Sequence, residues 1–169
     1  MKPIDTKTWK EFKISDLFTQ LRGKESAPNR VPDGDYNMIN ETSVNNGISK
    51  KAHSEYIFEA PAITVSVNYA QTVFLQQEPF CASVNILILK DDFLEKYPNS
   101  GLYIVTLLRK ANEKYNYGSK ISKIKLNETI IPIPVQPTLD PDKTYHPEGY
   151  VPDWDYMEAF MEQINQQAQ

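Results

Sequence analysis

The run Ala62-Ile63-Thr64-Val65-Ser66-Val67-Asn68-Tyr69-Ala70-Gln71-Thr72-Val73-Phe74-Leu75-Gln76 decides the fold class. Ala62–Val67 and Thr72–Gln76 are rich in β-branched and aromatic side chains, which suit a pleated, half-buried surface. Between them lie four residues, Asn68, Tyr69, Ala70 and Gln71, that predict a hairpin whose tip presents amides and a phenol. Working outward, Asn85–Lys90 (Ile86, Leu87, Ile88, Leu89) is a short buried-strand candidate, and Tyr36–Asn40 reads as a strand with Met38 on one face and Asn37 and Ile39 on the other. Thr129–Val135 carries Pro132 and Pro134 at alternate positions. Proline cannot donate to a ladder, so an edge strand or extended segment fits and a central strand does not.

Helices are fewer and lie at the periphery. Ser15 with Asp16 predicts a short helix that turns Leu17, Phe18 and Leu21 inward and stops at Gly23. Leu102–Asn112 repeats Leu102, Val105 and Leu108 at helical spacing and places Arg109 and Lys110 at the C-terminal end, where they suit the helix dipole. Asp153 can cap a closing helix, residues 153–167, with Met157, Phe160, Met161 and Ile164 on one stripe. Lys24–Gly34 and Gln136–Pro152 are loops by composition. The expected architecture is α/β in the α+β sense, a twisted, mostly antiparallel β core with peripheral helices. Residues 1–152 are expected to form one domain, and residues 153–169 a helix that packs on it or leads out of it.

At 169 residues, 40% hydrophobic and 24% charged, the chain fits a single domain able to bury a core without metal or disulfide staples. No apolar run reaches membrane-spanning length, and Met1–Lys13 lacks the apolar stretch of a signal peptide. Cys81 is the only cysteine, which excludes an internal disulfide and points to a reducing cytoplasm. Flanked by Pro79, Phe80, Ala82 and Val84, it reads as a buried, inert thiol. The net charge of −4 is unevenly spread: residues before Asp140 hold 17 of the 18 basic and 15 of the 22 acidic side chains. The body is about neutral, so a chain binding nucleic acid tightly by itself is not expected.

Catalytic chemistry finds little support. His53 and His146 stand far apart with no ligand neighbour, no glycine-rich phosphate loop is present, and Asp91-Asp92 and Asp153–Asp155 are explained by turns and helix capping. No cofactor is expected. What stands out are three polar strips between apolar elements. Asn40–His53 contains Asn45, Asn46, Ser49, Lys50 and Lys51, with Asn46-Gly47 a strong turn signal because both residues tolerate positive φ. Asn68 and Gln71 lie at the hairpin tip. Tyr115–Lys125 contains Tyr115, Asn116, Tyr117, Lys120 and Lys123. Any one of them alone is better explained by a solvated loop or helix start. Together they offer groups suited to a duplex: lysines for phosphates, amides and hydroxyls for base edges, and tyrosine rings for sugars or bases. Arg22 and Lys24 are further phosphate candidates.

The order of residues along nearly the whole chain resembles the target recognition domain of the type I restriction-modification DNA specificity subunit and its BcgI-like relatives. The resemblance rests on Trp9 with Phe12, Ile14, Leu17, Phe18 and Gly23; Tyr36–Ile39 followed by Thr42, Asn45, Asn46, Gly47 and Ile48; Ile63–Val65; and Val73, Phe74 and Pro79-Phe80. It continues through Tyr117, Gly118 and Lys120, Ile131–Pro134, and Pro152, Asp153, Trp154 and Met157. It implies a non-catalytic domain that reads one half of a bipartite double-stranded DNA target. The implied partners are an adenine methyltransferase (modification) subunit and a restriction/translocase subunit. By position the resemblance puts Asn45–Lys51 and Tyr115–Lys120 on DNA-facing loops. The family's second recognition domain and long spacer helices are missing from these residues, so the expectation is a half-subunit pairing with another chain or a second copy, or a domain excised from something longer. The rival from another class is a non-catalytic adaptor or inhibitor that uses the Met157, Phe160, Met161 and Ile164 stripe.

Overall fold

The computed structural model describes residues 6–115 and 118–168. Its centre is a four-stranded antiparallel sheet in which β5 (Ala62–Ser66) and β8 (Ile86–Lys90) are the inner strands, flanked by β2 (Thr19–Arg22) and β6 (Val73–Gln76). The β5–β6 pair is the expected hairpin, with Val65 opposite Val73 and Ala62 opposite Gln76. Every residue of β5 is buried, and so are the first four of β8. Both faces of the sheet are covered, so β8 reads as an apolar run, Ile86–Leu89, and β5 buries Thr64 and Ser66 along with its apolar side chains.

One face carries Ile63, Val65, Leu87 and Leu89 into the main core. There they meet α1 (Ile14–Leu17), α3 (Ser100–Ala111), α4 (Lys123–Asn127) and α5 (Trp154–Gln167), with α2 (Phe93–Lys96) at the margin. The alternate residues Ala62, Ile86 and Ile88 face a second cluster with Ile39, Phe80 and Ala82. Those three come from a three-stranded sheet of β3 (Asp33–Ile39) between β4 (Ile48–Ala52) and β7 (Phe80–Ala82). Its β3–β7 pairing is parallel, whereas the other strand pairs are antiparallel. Each fully buried Leu or Ile here contributes roughly 1.5–3 kcal/mol. The two layers thus account for the placing of Met38, which lies beneath β3 with Val31, Ala52 and Cys81, opposite Ile39.

The proline-bearing strand is β9 (Ile130–Ile133), paired with β1 (Lys10–Lys13) alone. Ile131 and Ile133 point into the core and Pro132 points out, as an edge position requires. Asp153 caps α5 by accepting the Tyr156 N–H at 3.0 Å. The α5 stripe divides along its length. Met157 is fully buried, Phe160 lies edge-on to the Tyr103 ring at 5.7 Å, and Ile164 borders a shallow apolar groove shared with α3.

Two local expectations are corrected. The helix expected from Ser15 to Gly23 lasts only one turn, Ile14–Leu17, after which the chain becomes β2. Leu21 is consequently 41% exposed, because pairing with β8 fixes the strand register and turns Gln20 inward instead. Gly23 stops no helix: a Cβ there would lie 2.0 Å from the Ser83 carbonyl oxygen, so the residue permits a close backbone approach. The polar strip Asn40–His53 is likewise not all loop. Its second half is β4, held to β3 by the pairs Met38–Lys50 and Asn37–Lys51. No helix among the described residues is long and apolar enough to cross a membrane.

Candidate nucleic-acid interface

The tip of the β5–β6 hairpin, Val67 to Thr72, is where the polar segments meet. Its turn is closed by the Thr72 N–H donating to the Tyr69 carbonyl at 2.7 Å. Tyr69 is 51% exposed and Gln71 is exposed, while Ala70 is buried. On one flank the Glu41 carboxylate binds the tip: Oε1 accepts the Ser66 hydroxyl at 3.2 Å and the Asn68 N–H at 3.1 Å, and Oε2 accepts the Asn85 amide at 3.0 Å. On the other flank the Asn112 amide donates to the Ala70 carbonyl at 2.7 Å, and the Ile121 N–H donates to the Val67 carbonyl at 3.2 Å. Glu41 on one side and Asn112 and Ile121 on the other, all remote in sequence from Val67–Thr72, are therefore fastened to the tip.

The two flanks differ in chemistry. Thr42 and Ser43 follow Glu41, and with Tyr69 and Thr72 they line a polar groove of about 340 Å³. The opposite flank is cationic. Arg109 donates through Nε and Nη2 to the Val73 carbonyl, at 3.1 and 2.6 Å, and its guanidinium lies over the Phe74 ring at 5.3 Å. Lys114 and Lys125 sit over the half-buried Tyr115 ring at 5.3 and 5.6 Å. Lys125 also donates to the Lys120 carbonyl.

The residues named from the sequence fall into three groups. Gln71, Tyr115, Lys120 and Lys123 lie at the tip or on its cationic flank, where Ser122 caps α4 by accepting the Lys125 N–H. Asn68 is at the tip too, but its side-chain oxygen is enclosed without a hydrogen-bond partner among the described residues. Asn116 and Tyr117 lie outside the described residues.

In the third group Asn45, Asn46 and Ser49 are exposed and Lys50 half-buried, yet their side chains bond to the protein itself. Asn45 and Asn46 adopt φ of 49° and 54°, as the Asn46-Gly47 signal requires. The Asn46 amide donates to the Leu75 carbonyl and to Gln76 Oε1, while Gln76 Nε2 returns a bond to the Asn46 carbonyl. Asn45 donates to the Ile48 carbonyl and Ser49 to the Met38 carbonyl. Lys50 donates to the Val31 carbonyl at 2.8 Å and pairs with Asp33 at 2.5 Å, which holds the Asp33 carboxyl below its ordinary range. Lys51 is exposed on β4, on the three-stranded sheet; Arg22, at the end of β2 beside Val84, and Lys24, over Tyr56, are exposed as well.

Sequence reasoning missed Glu41 and Arg109 as parts of this surface. Glu41 was detectable as the lone acid in an otherwise amide and hydroxyl strip. Arg109 carried no signal beyond its place at a helix C-terminus.

A family model described as the type I restriction modification DNA specificity domain matches residues 6–168. The chain is 29% identical over 161 residues to the type II restriction enzyme BgcI specificity subunit S.BcgI of Heyndrickxia coagulans, covering 90% of this chain and 42% of that protein. In fold it is similar to the HsdS subunit from Thermoanaerobacter tengcongensis (TM-score 0.59, 16% identity, 98% of this chain and 39% of that one). It is also similar to the type I restriction-modification system S subunit from M. genitalium (TM-score 0.58, 13% identity, 95% of this chain and 41% of that one). The chain spans about two fifths of the length of these relatives. Since the match runs through all three polar segments and the sheets that carry them, the chain belongs to the type I restriction modification DNA specificity domain family.

Proposed function

We propose that this chain reads one half of a bipartite site in double-stranded DNA as the specificity component of a restriction-modification complex. It contributes recognition and no bond-making step, works in the cytoplasm, and assembles with an adenine methyltransferase subunit and a restriction/translocase subunit. A second recognition unit reads the other half-site.

The observation that carries the reading is the convergence on the hairpin tip. A groove-facing surface needs hydrogen-bonding groups held rigidly on one side and cations flanking them, because base contacts specify while phosphate contacts position. The tip has both, with Glu41 and Asn112 as its ties. Within this proposal Gln71, Tyr115, Asn116, Tyr117, Lys120 and Lys123 touch DNA. Asn45, Asn46, Ser49 and Lys50 shape the loop, and Asn68 reaches a base only if its amide turns. Lys51 serves a phosphate at the margin. The near-neutral body agrees with affinity supplied jointly by partners.

The test is enrichment from a randomised duplex pool by the purified chain, alone and with the methyltransferase. A defined motif with one half-site fixed is expected when the methyltransferase is present; enrichment of no sequence in either arm would falsify the reading.

A further inference from the structure

Glu41 presents a carboxylate where a DNA-binding surface ordinarily avoids one. Its three donors, Ser66, Asn68 and Asn85, occupy both lone-pair positions of Oε1 and one of Oε2. A carboxylate offers about four such positions, so one on Oε2 is left. Glu41 also forms part of the wall of the groove shared with Thr42, Ser43, Tyr69 and Thr72. A phosphate is repelled there. A metal ion is not indicated either, since no group of three His, Cys, Asp or Glu side chains among the described residues could hold one. A neutral hydrogen-bond donor fits: it meets the remaining acceptor position without like-charge repulsion.

Building on the DNA reading above, we infer that Glu41 reads a cytosine through its exocyclic N4 amine in the major groove, and so determines specificity at one position of the half-site. Cytosine is favoured over adenine because adenine places the N7 acceptor beside its N6 amine, facing the carboxylate's own lone pairs. Guanine and thymine present carbonyl oxygens and are rejected. The bonds to Ser66, Asn68 and Asn85 leave the carboxylate little freedom, so its acceptor direction is set before DNA arrives.

The test compares motifs enriched by the full-length chain and by Glu41→Gln, both with the methyltransferase. In the variant Oε1 still accepts Ser66 and Asn68, and the Asn85 amide can turn over to accept from the new NH2, so the loop is preserved. The open position becomes a donor. Wild type is expected to fix a C·G pair at one position by about tenfold over other pairs. Glu41→Gln is expected to shift that position alone toward a base with a major-groove carbonyl. An unchanged motif overturns the assignment of Glu41 and leaves DNA recognition standing, whereas no motif from wild type removes the DNA reading itself. If Glu41→Gln melts below the selection temperature, the wild-type motif decides: a half-site with a fixed C·G pair supports the inference, and one without any fixed C·G pair overturns it.

Discussion

The two flanks of the hairpin tip solve the same problem of display in opposite ways. On the Glu41 side the polar groups are bonded inward: the carboxylate holds Ser66, Asn68 and Asn85, and Asn46 and Gln76 exchange bonds beneath the turn. On the Tyr115 side, Lys114 and Lys125 rest on a ring face, and Lys125 also pairs with the Lys120 carbonyl. A fixed flank suits discrimination, where an ångström decides whether a bond forms. A cationic flank suits phosphates, whose attraction tolerates displacement. Exposure alone would have treated the two as equivalent.

Mutations should separate the flanks, beginning with the largest effect. Glu41→Ala leaves three donors without their acceptor and is expected to cost about 2–3 kcal/mol, lowering the melting temperature by roughly 5–10 °C. Melting within a degree of wild type would show that the flank is not fixed through Glu41. Asn46→Ala combines lost amide bonds with a side chain at φ 54°, and is expected to cost about 1–2 kcal/mol. Asn46→Gly relieves the backbone part, so chemical denaturation should place it between the two; equal losses would mean that the turn carries no strain.

On the other flank, Lys120→Ala should reduce the slope of log affinity against log salt by about one unit while leaving the enriched motif intact. Lys50→Ala, engaged with Asp33 and the Val31 carbonyl, should leave the slope unchanged, and a drop there would return Lys50 to the phosphate contacts. The smallest effect is on pH dependence. Lys50 depresses the Asp33 carboxyl below its ordinary 3.8, so the pair stabilises the fold above that pH and loses its contribution as pH falls through the folded value. Lys50→Met should therefore narrow the stability gap to wild type on acidification through that window, and a gap that widened would reverse the sign.

Much of the framework was legible because periodicity and turn chemistry are local. The β5–β6 hairpin, the α3 repeat, the Asp153 cap and the edge strand with its alternating prolines are each written in a few adjacent residues. The Thr19–Arg22 segment was not legible. Its identity as a strand depends on an unpaired edge of β8 more than 60 positions away in the chain, and pairing with that edge overrides a helical start at Ser15. Among the site residues, Gln71 and Lys120 lie on exposed segments as composition expects, whereas Asn46 and Lys50 resemble them in type and are engaged with Gln76 and Asp33.

By itself the sequence determined an antiparallel framework with three polar strips, because side-chain shape, alternation and backbone tolerance act over a few residues. Which strips share a surface was decided only by the tertiary structure. So was the division of their side chains between holding the loop and facing outward. The reason is that a hydrogen bond depends on direction and distance: Glu41 can serve Asn68 and Asn85 only once two sheets have stacked and brought positions 41, 68 and 85 within about 3 Å of bonding contact.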